Sequence, residues 1–72
     1  MTKRRDLLRD IRRQARKVGV DYRESEGGRH TIVRLGGGGL VPVPRHREIP
    51  ERTAEAIYRE TEEYLGKRWW TR

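Results

Sequence analysis

The period at which apolar residues recur changes twice along this 72-residue chain. Residues 3–18 have the 3.6-residue period of an amphipathic helix. Their apolar residues, which form one stripe, are Leu7, Leu8, Ile11, Ala15 and Val18. In the middle of the chain, apolar and polar residues alternate instead, which predicts strands. The helical period then returns in Ala54, Ile57, Tyr58, Thr61, Tyr64 and Leu65. An order of helix, strands and helix predicts an α+β fold.

Three strands are predicted between the two helices, over residues 20–25, 29–35 and 40–44. The segment Glu26-Gly27-Gly28 is a turn signal, and the four glycines of residues 36–39 permit a second hairpin. Pro42 and Pro44 confine the third strand to a sheet edge, because proline has no N–H to donate. The predicted architecture is therefore αβββα, a three-stranded antiparallel sheet with both helices on one face.

Size and composition limit what such a fold can do. We expect a single domain over residues 1–72, with a core too small to enclose a deep pocket, so that chemistry takes place on the surface. The chain has no cysteine, which excludes disulfides and thiolate sites. Its apolar runs are far shorter than a membrane span, and its first residues lack a signal peptide, so we expect a cytoplasmic protein that does not bind membranes.

The net charge of +7 arises from 18 basic and 11 acidic residues, and most of the basic residues are arginine. Arginine presents a planar fork of donors that matches phosphate oxygens, so the surplus indicates a nucleic acid or an acidic protein as partner. The basic residues concentrate in residues 1–18 and the acidic ones in residues 48–63. The alternative for the first helix is a solvated exterior that binds nothing.

The only histidines are His30 and His46. Two histidines without cysteine or a carboxylate cluster make a poor metal site, so we expect none. His30 follows Gly28-Arg29 at the start of the central strand. A histidine with a near-neutral pKa can exchange a proton with a ribose 2′-hydroxyl, and arginines nearby can hold the phosphate. The alternative is an ordinary surface histidine on a strand.

The arrangement of these segments resembles the HicA family, the toxins of bacterial type II toxin–antitoxin systems. The resemblance covers residues 7–65, and its specific parts are Gly28-Arg29-His30 and Val43-Pro44-Arg45-His46 at their mutual spacing. It implies a fold like the double-stranded-RNA-binding domain and cleavage of mRNA without a cofactor. It also implies that His30 is catalytic, that Gly28 is the turn glycine, and that a HicB-type antitoxin is the partner. We expect a monomer when free and a hetero-oligomer with the antitoxin.

The pairing of the second and third strands determines which residue lies opposite His30. If Leu35 pairs with Val41, and Val33 with Val43, then His46 lies opposite His30 and could form an acid–base pair with it. A slip of one residue would instead place Arg45 there, as a phosphate contact. We predict the first register. The candidate phosphate-binding residues are Arg29, Arg34 and Arg45.

These features predict a metal-independent endoribonuclease with His30 as general base or acid and a 2′,3′-cyclic phosphate product. A catalytically silent RNA-binding module and a basic subunit that docks an acidic protein are the alternatives. Trp69 and Trp70 lie in a basic tail, residues 67–72. Either one tryptophan folds back over a helix edge, or the pair stacks on bases or docks a partner.

Overall fold

The computed structural model of the protein describes residues 1–71 and has the predicted αβββα order. The helices are α1 (Arg4–Val18) and α2 (Glu51–Leu65). The strands of the main sheet are β2 (Tyr22–Gly27), β3 (His30–Leu35) and β4 (Gly39–Pro44). Two further strands of two residues each, β1 (Thr2–Lys3) and β5 (Glu48–Ile49), pair with one another. They are too short to produce a periodic pattern, which is why the sequence did not predict them.

The main sheet is antiparallel with the order β2-β3-β4, so the proline-containing strand lies at an edge as predicted. Thr31, Val33 and Leu35 of β3 are completely buried on one face. Both helices contribute to the core on this face, with Leu7, Leu8, Ile11 and Ala15 from α1 and Ala54, Ile57 and Leu65 from α2. Val18, the last residue of the predicted α1 stripe, is 46% exposed because the helix ends there.

The predicted register between the second and third predicted strands, which are β3 and β4 of the structure, is wrong by two residues. Leu35 pairs with Gly39, Val33 with Val41, and His30 with Pro44. The hairpin turns on only three glycines, and Gly39 is buried as the first residue of β4. A Cβ atom on Gly39 would lie 2.7 Å from the Tyr64 ring, so only glycine fits this position without displacement. A shift of two residues keeps every side chain on its face, so the core was predicted correctly while the partner of His30 was not.

The first strand of the first hairpin ends two residues later than predicted. β2 extends to Gly27, which pairs with His30, and the loop consists of Gly28 and Arg29 alone. Gly28 has φ +56°, whereas Arg29 has a negative φ. This combination is typical of a type II′ turn, which takes glycine at its first central position. Gly28 therefore lies in the turn directly before His30, as the sequence indicated.

The tail folds back onto the helices. The indole N–H of Trp69 donates to the hydroxyl of the fully buried Thr61 (2.8 Å), and that of Trp70 donates to Glu62 (2.8 Å). Tyr58 contacts both tryptophans, edge to face with Trp69 and stacked with Trp70, at centroid distances of 5.5 and 5.6 Å. The alternative in which tryptophan extends the small core is thus the one the structure adopts.

Candidate functional site

One face of the sheet is not covered by either helix, and we call it the open face. Strand alternation places on it Arg23 and Ser25 of β2, His30, Ile32 and Arg34 of β3, and Leu40, Pro42 and Pro44 of β4. Most of these side chains are exposed, and Leu40 retains 58% of its accessible surface. Neither helix packs on this face, so its basic and apolar side chains are both available to a partner.

His30 lies at one end of the open face, as the first residue of the central strand. Its neighbours across the two ladders are Gly27 and Pro44. Gly27 has no side chain, and Pro44 has a short one that is half-buried. Neither can cover the imidazole, so His30 is exposed and can be approached from both sides. The two-residue turn of Gly28 and Arg29 comes directly before it and fixes the direction of the strand at this point.

Arg34 lies on the same face as His30, further along β3, with Arg23 as its direct cross-strand partner. The Nε of Arg34 donates to the Ser25 hydroxyl at 3.3 Å, which orients the guanidinium. Like charges directly opposite one another destabilise a sheet, and among residues 1–71 neither arginine has an acidic partner within 4.0 Å. A bound anion would relieve this repulsion, so the pair is a candidate phosphate site.

Sequence reasoning identified Arg34 but missed Arg23. The signal was present in the alternation of the first strand, which puts Arg23 on the face opposite Tyr22. Only the register of β2 against β3 shows that the two arginines meet. Ile32 lies between His30 and Arg34 and is half-buried, with Pro42 as its cross-strand neighbour. The open face therefore has an apolar middle between a histidine at one end and two arginines toward the other.

Arg29 and Arg45 occupy different surroundings. Arg29 is exposed in the turn that precedes His30. Arg45 forms an ion pair with Glu26 at 2.5 Å, and Glu26 accepts a hydrogen bond from Thr31, whose side chain is on the helix-facing side. The structure therefore groups Arg45 with Glu26 and Thr31 rather than with His30.

His46 lies beyond the end of β4, exposed and two residues past Pro44. It is not the cross-strand partner of His30, so the predicted opposition of the two histidines is wrong. The cause is the shorter glycine hairpin, which moves the whole of β4 by two residues relative to β3. The ladder that positions His30 ends before it reaches His46.

In the part of the chain that the structure describes, no three His, Asp or Glu side chains come together as a metal ion would require. Neither described helix is long and apolar enough to cross a membrane.

Comparison with known proteins gives one match. The model of the family described as the HicA toxin of bacterial toxin–antitoxin systems matches residues 8–62, the stretch from α1 to near the end of α2. No curated protein and no solved structure matches the chain. Since the family match covers well over half of the chain and includes the hairpin that carries His30, this protein belongs to the HicA family of toxins.

Proposed function

We propose that this toxin is a metal-independent endoribonuclease in which His30 transfers the proton. The observation that carries the proposal is the position of His30, exposed at the end of a basic sheet face that no other part of the described chain covers. The cross-strand pair of Arg23 and Arg34 on the same face supports a polyanionic substrate.

The reaction that fits a lone exposed histidine is attack by the ribose itself. The 2′-oxygen of one nucleotide forms a bond to the adjacent phosphorus while the bond from phosphorus to the 5′-oxygen of the next nucleotide breaks. The 2′-hydroxyl loses a proton and the departing 5′-oxygen gains one, so the products are a 2′,3′-cyclic phosphate and a 5′-hydroxyl. His30 acts as the general base for the first proton or the general acid for the second. Because the nucleophile belongs to the substrate, no activated water is needed.

The arginines then divide between two roles. We assign the contact with the scissile phosphate and its developing charge to Arg29, and its exposed position in the turn directly before His30 supports this role. Arg34 is four residues along the strand, about 13 Å from His30 at the rise of a β-strand. Arg34 and Arg23 therefore hold a neighbouring phosphate rather than the scissile one. Phosphate contacts of this kind set the position of the substrate and not its base sequence.

The family also implies control by an antitoxin. We propose that a HicB-type antitoxin silences this toxin by covering the open face with an acidic surface, since Arg23 and Arg34 on this face and Arg29 in the adjoining turn give it positive charge. The second candidate function is an RNA-binding module without catalysis. It is favoured by the lack of an acid–base partner opposite His30, where Pro44 stands.

Cleavage of labelled single-stranded RNA by purified protein in EDTA tests the proposal. We expect fragments that end in a 2′,3′-cyclic phosphate, and no fragments from the same sequence with 2′-deoxyribose throughout, because the nucleophile is then missing. Cleavage of the deoxy substrate, or cleavage that stops in EDTA, would contradict the mechanism. Binding of RNA without any cleavage would favour the silent module.

A further inference from the structure

A second basic region lies at the same end of the sheet as His30, next to the start of α1. It is an open groove, which we call the terminal groove, and its walls are formed by Lys3, Arg4, Arg5, Arg45, Arg47 and Glu48. Five of these six residues are cationic. Of these five, the sequence predicted only Arg45 as a phosphate contact, because Lys3, Arg4 and Arg5 lie about 40 positions away from it along the chain.

The fold builds this groove by fastening two distant segments together. Strands β1 and β5 pair so that Lys3 lies opposite Glu48. The backbone N–H of Arg4 donates to the carbonyl of Arg47 at 3.0 Å. The Arg4 side chain reaches further, with its Nε donating to the Pro44 carbonyl at 3.2 Å and a terminal nitrogen donating to the hydroxyl of buried Thr31. The groove is therefore held by backbone and buried contacts and is not a chance meeting of surface side chains.

Its positive charge is only partly compensated. Arg45 has Glu26 as partner, and Arg5 lies 3.8 Å from Asp6 while remaining 81% exposed. Within residues 1–71, neither Lys3 nor Arg47 has a carboxylate within 4.0 Å. The repulsion between these positive side chains raises the free energy of the free protein, and binding of a polyanion would offset this cost. Arginine forks at fixed positions suit phosphate oxygens in particular.

Pro44 connects the groove with His30. Its Cα is the cross-strand partner of His30, and its carbonyl accepts the hydrogen bond from Arg4. A strand of RNA with its scissile phosphate at His30 therefore has basic surface in both directions, toward Arg23 and Arg34 along the open face and around the sheet end into the groove.

We infer that the terminal groove binds backbone phosphates of single-stranded RNA on one side of the cleavage point, with Lys3, Arg5 and Arg47 as the contacts. This inference rests on the proposed function for the identity of the polyanion. The groove itself holds the sugar–phosphate backbone and does not take part in proton transfer. Its effect is on binding and on KM for long substrates, because a short substrate that occupies only the His30 end does not reach it.

The test compares two triple variants that remove the same charge. The first is Lys3→Gln, Arg5→Gln, Arg47→Gln, which leaves the structural contacts of Arg4 and Arg45 intact. The matched control is Arg12→Gln, Arg16→Gln, Lys17→Gln on the exposed side of α1. Both variants are made with intact His30 to measure cleavage. Both are also made in the His30→Ala background to measure binding, so that the RNA is not cleaved during the titration. Circular dichroism and thermal unfolding confirm that each variant is folded.

On single-stranded RNA, each phosphate neutralised contributes about 0.7 to the slope of log affinity against log salt. We expect the groove variant to reduce this slope by up to about 2 and the control to leave it unchanged. With intact His30, the groove variant should raise KM for a long RNA about 10-fold while kcat is kept, and should cleave a dinucleotide like the unmodified protein. Equal slopes for the groove variant and the unmodified protein would overturn the inference.

The failure of this inference and that of the proposed function are distinguishable. If the protein with His30 intact cleaves no RNA, the ribonuclease proposal is wrong. If the groove variant nevertheless lowers the salt slope of RNA binding, the inference that the groove binds RNA phosphates is supported. If RNA is cleaved but both triple variants lose slope equally, the groove has no special role. If the groove variant loses affinity only for an acidic antitoxin and not for RNA, the groove is a protein-docking surface and the inference is wrong.

Discussion

His30 and Pro44 face each other across the ladder of β3 and β4. Proline cannot donate a backbone hydrogen bond, so a residue of this kind belongs on the outer side of an edge strand. The pairing leaves the imidazole beside a short ring without acidic or basic function. His30 therefore has no titratable cross-strand partner on β4, and in the proposed reaction it carries out only one of the two proton transfers.

Replacement of His30 by alanine should separate catalysis from folding. The side chain is exposed on the open face, so His30→Ala should change the free energy of unfolding by no more than about 0.5 kcal/mol. Loss of positioned proton transfer should lower the cleavage rate by roughly 10²- to 10⁴-fold. RNA affinity, measured in the same buffer, should stay nearly unchanged. A fully active His30→Ala protein would contradict the proposed mechanism.

His46→Ala should have a much smaller effect. Its side chain lies in the loop after β4 and is not placed opposite His30. If it contacts a phosphate, the loss should lie below about 10-fold in kcat/KM and should appear in KM and not in kcat. A loss of kcat as large as that of His30→Ala would show that the two histidines act as a pair despite the register.

The comparison of sequence and structure shows which information a periodic pattern contains. Alternation in the strand of Thr31, Val33 and Leu35 predicted its buried face correctly, since every register that keeps this face buried satisfies the same pattern. The exact partner of His30 depended on the number of glycines in the turn, and four identical residues give no indication of where the turn stops. The pairing of Lys3 with Glu48 is too short and too distant in sequence to leave a pattern at all.

Gly39→Ala should destabilise the protein because this glycine is needed for close packing. The added methyl group would lie 2.7 Å from the Tyr64 ring and 2.8 Å from the Leu35 carbonyl oxygen. Relief of such contacts in a packed core costs about 1–3 kcal/mol. Urea denaturation gives this value, and Gly38→Ala is the control, because its methyl group would meet nothing within 4 Å. Equal loss in both variants would show that turn flexibility and not packing accounts for the effect.

Trp69→Phe should test whether the tail stabilises the core. It removes the indole N–H that donates to the buried Thr61 hydroxyl, which still donates to the Tyr58 carbonyl. Loss of one such hydrogen bond costs about 1 kcal/mol, measured by urea denaturation. Trp70→Phe is the control, because the carboxylate of Glu62 that it releases is partly exposed and can bind water. A larger loss of stability in Trp70→Phe would show that the stacking of Trp70 on Tyr58 contributes more than the hydrogen bond from Trp69 to Thr61.

The alkaline limit of stability should depend on Tyr58. Its burial, together with the charge and hydrogen bond of Asp10, raises the pKa of the Tyr58 phenol from 10.0 to about 12. The unfolded chain loses this proton near pH 10, so the stability due to the neutral phenol is fully present below pH 10 and is lost as the pH rises through 12. We expect the free energy of unfolding, followed by tryptophan fluorescence in urea, to fall less steeply over this window in Tyr58→Phe. Tyr22, whose pKa is also raised by burial and by Glu24, titrates in both proteins and cancels in the comparison. Parallel curves for the two proteins would show that the Tyr58 phenol ionises equally readily in the folded and unfolded states.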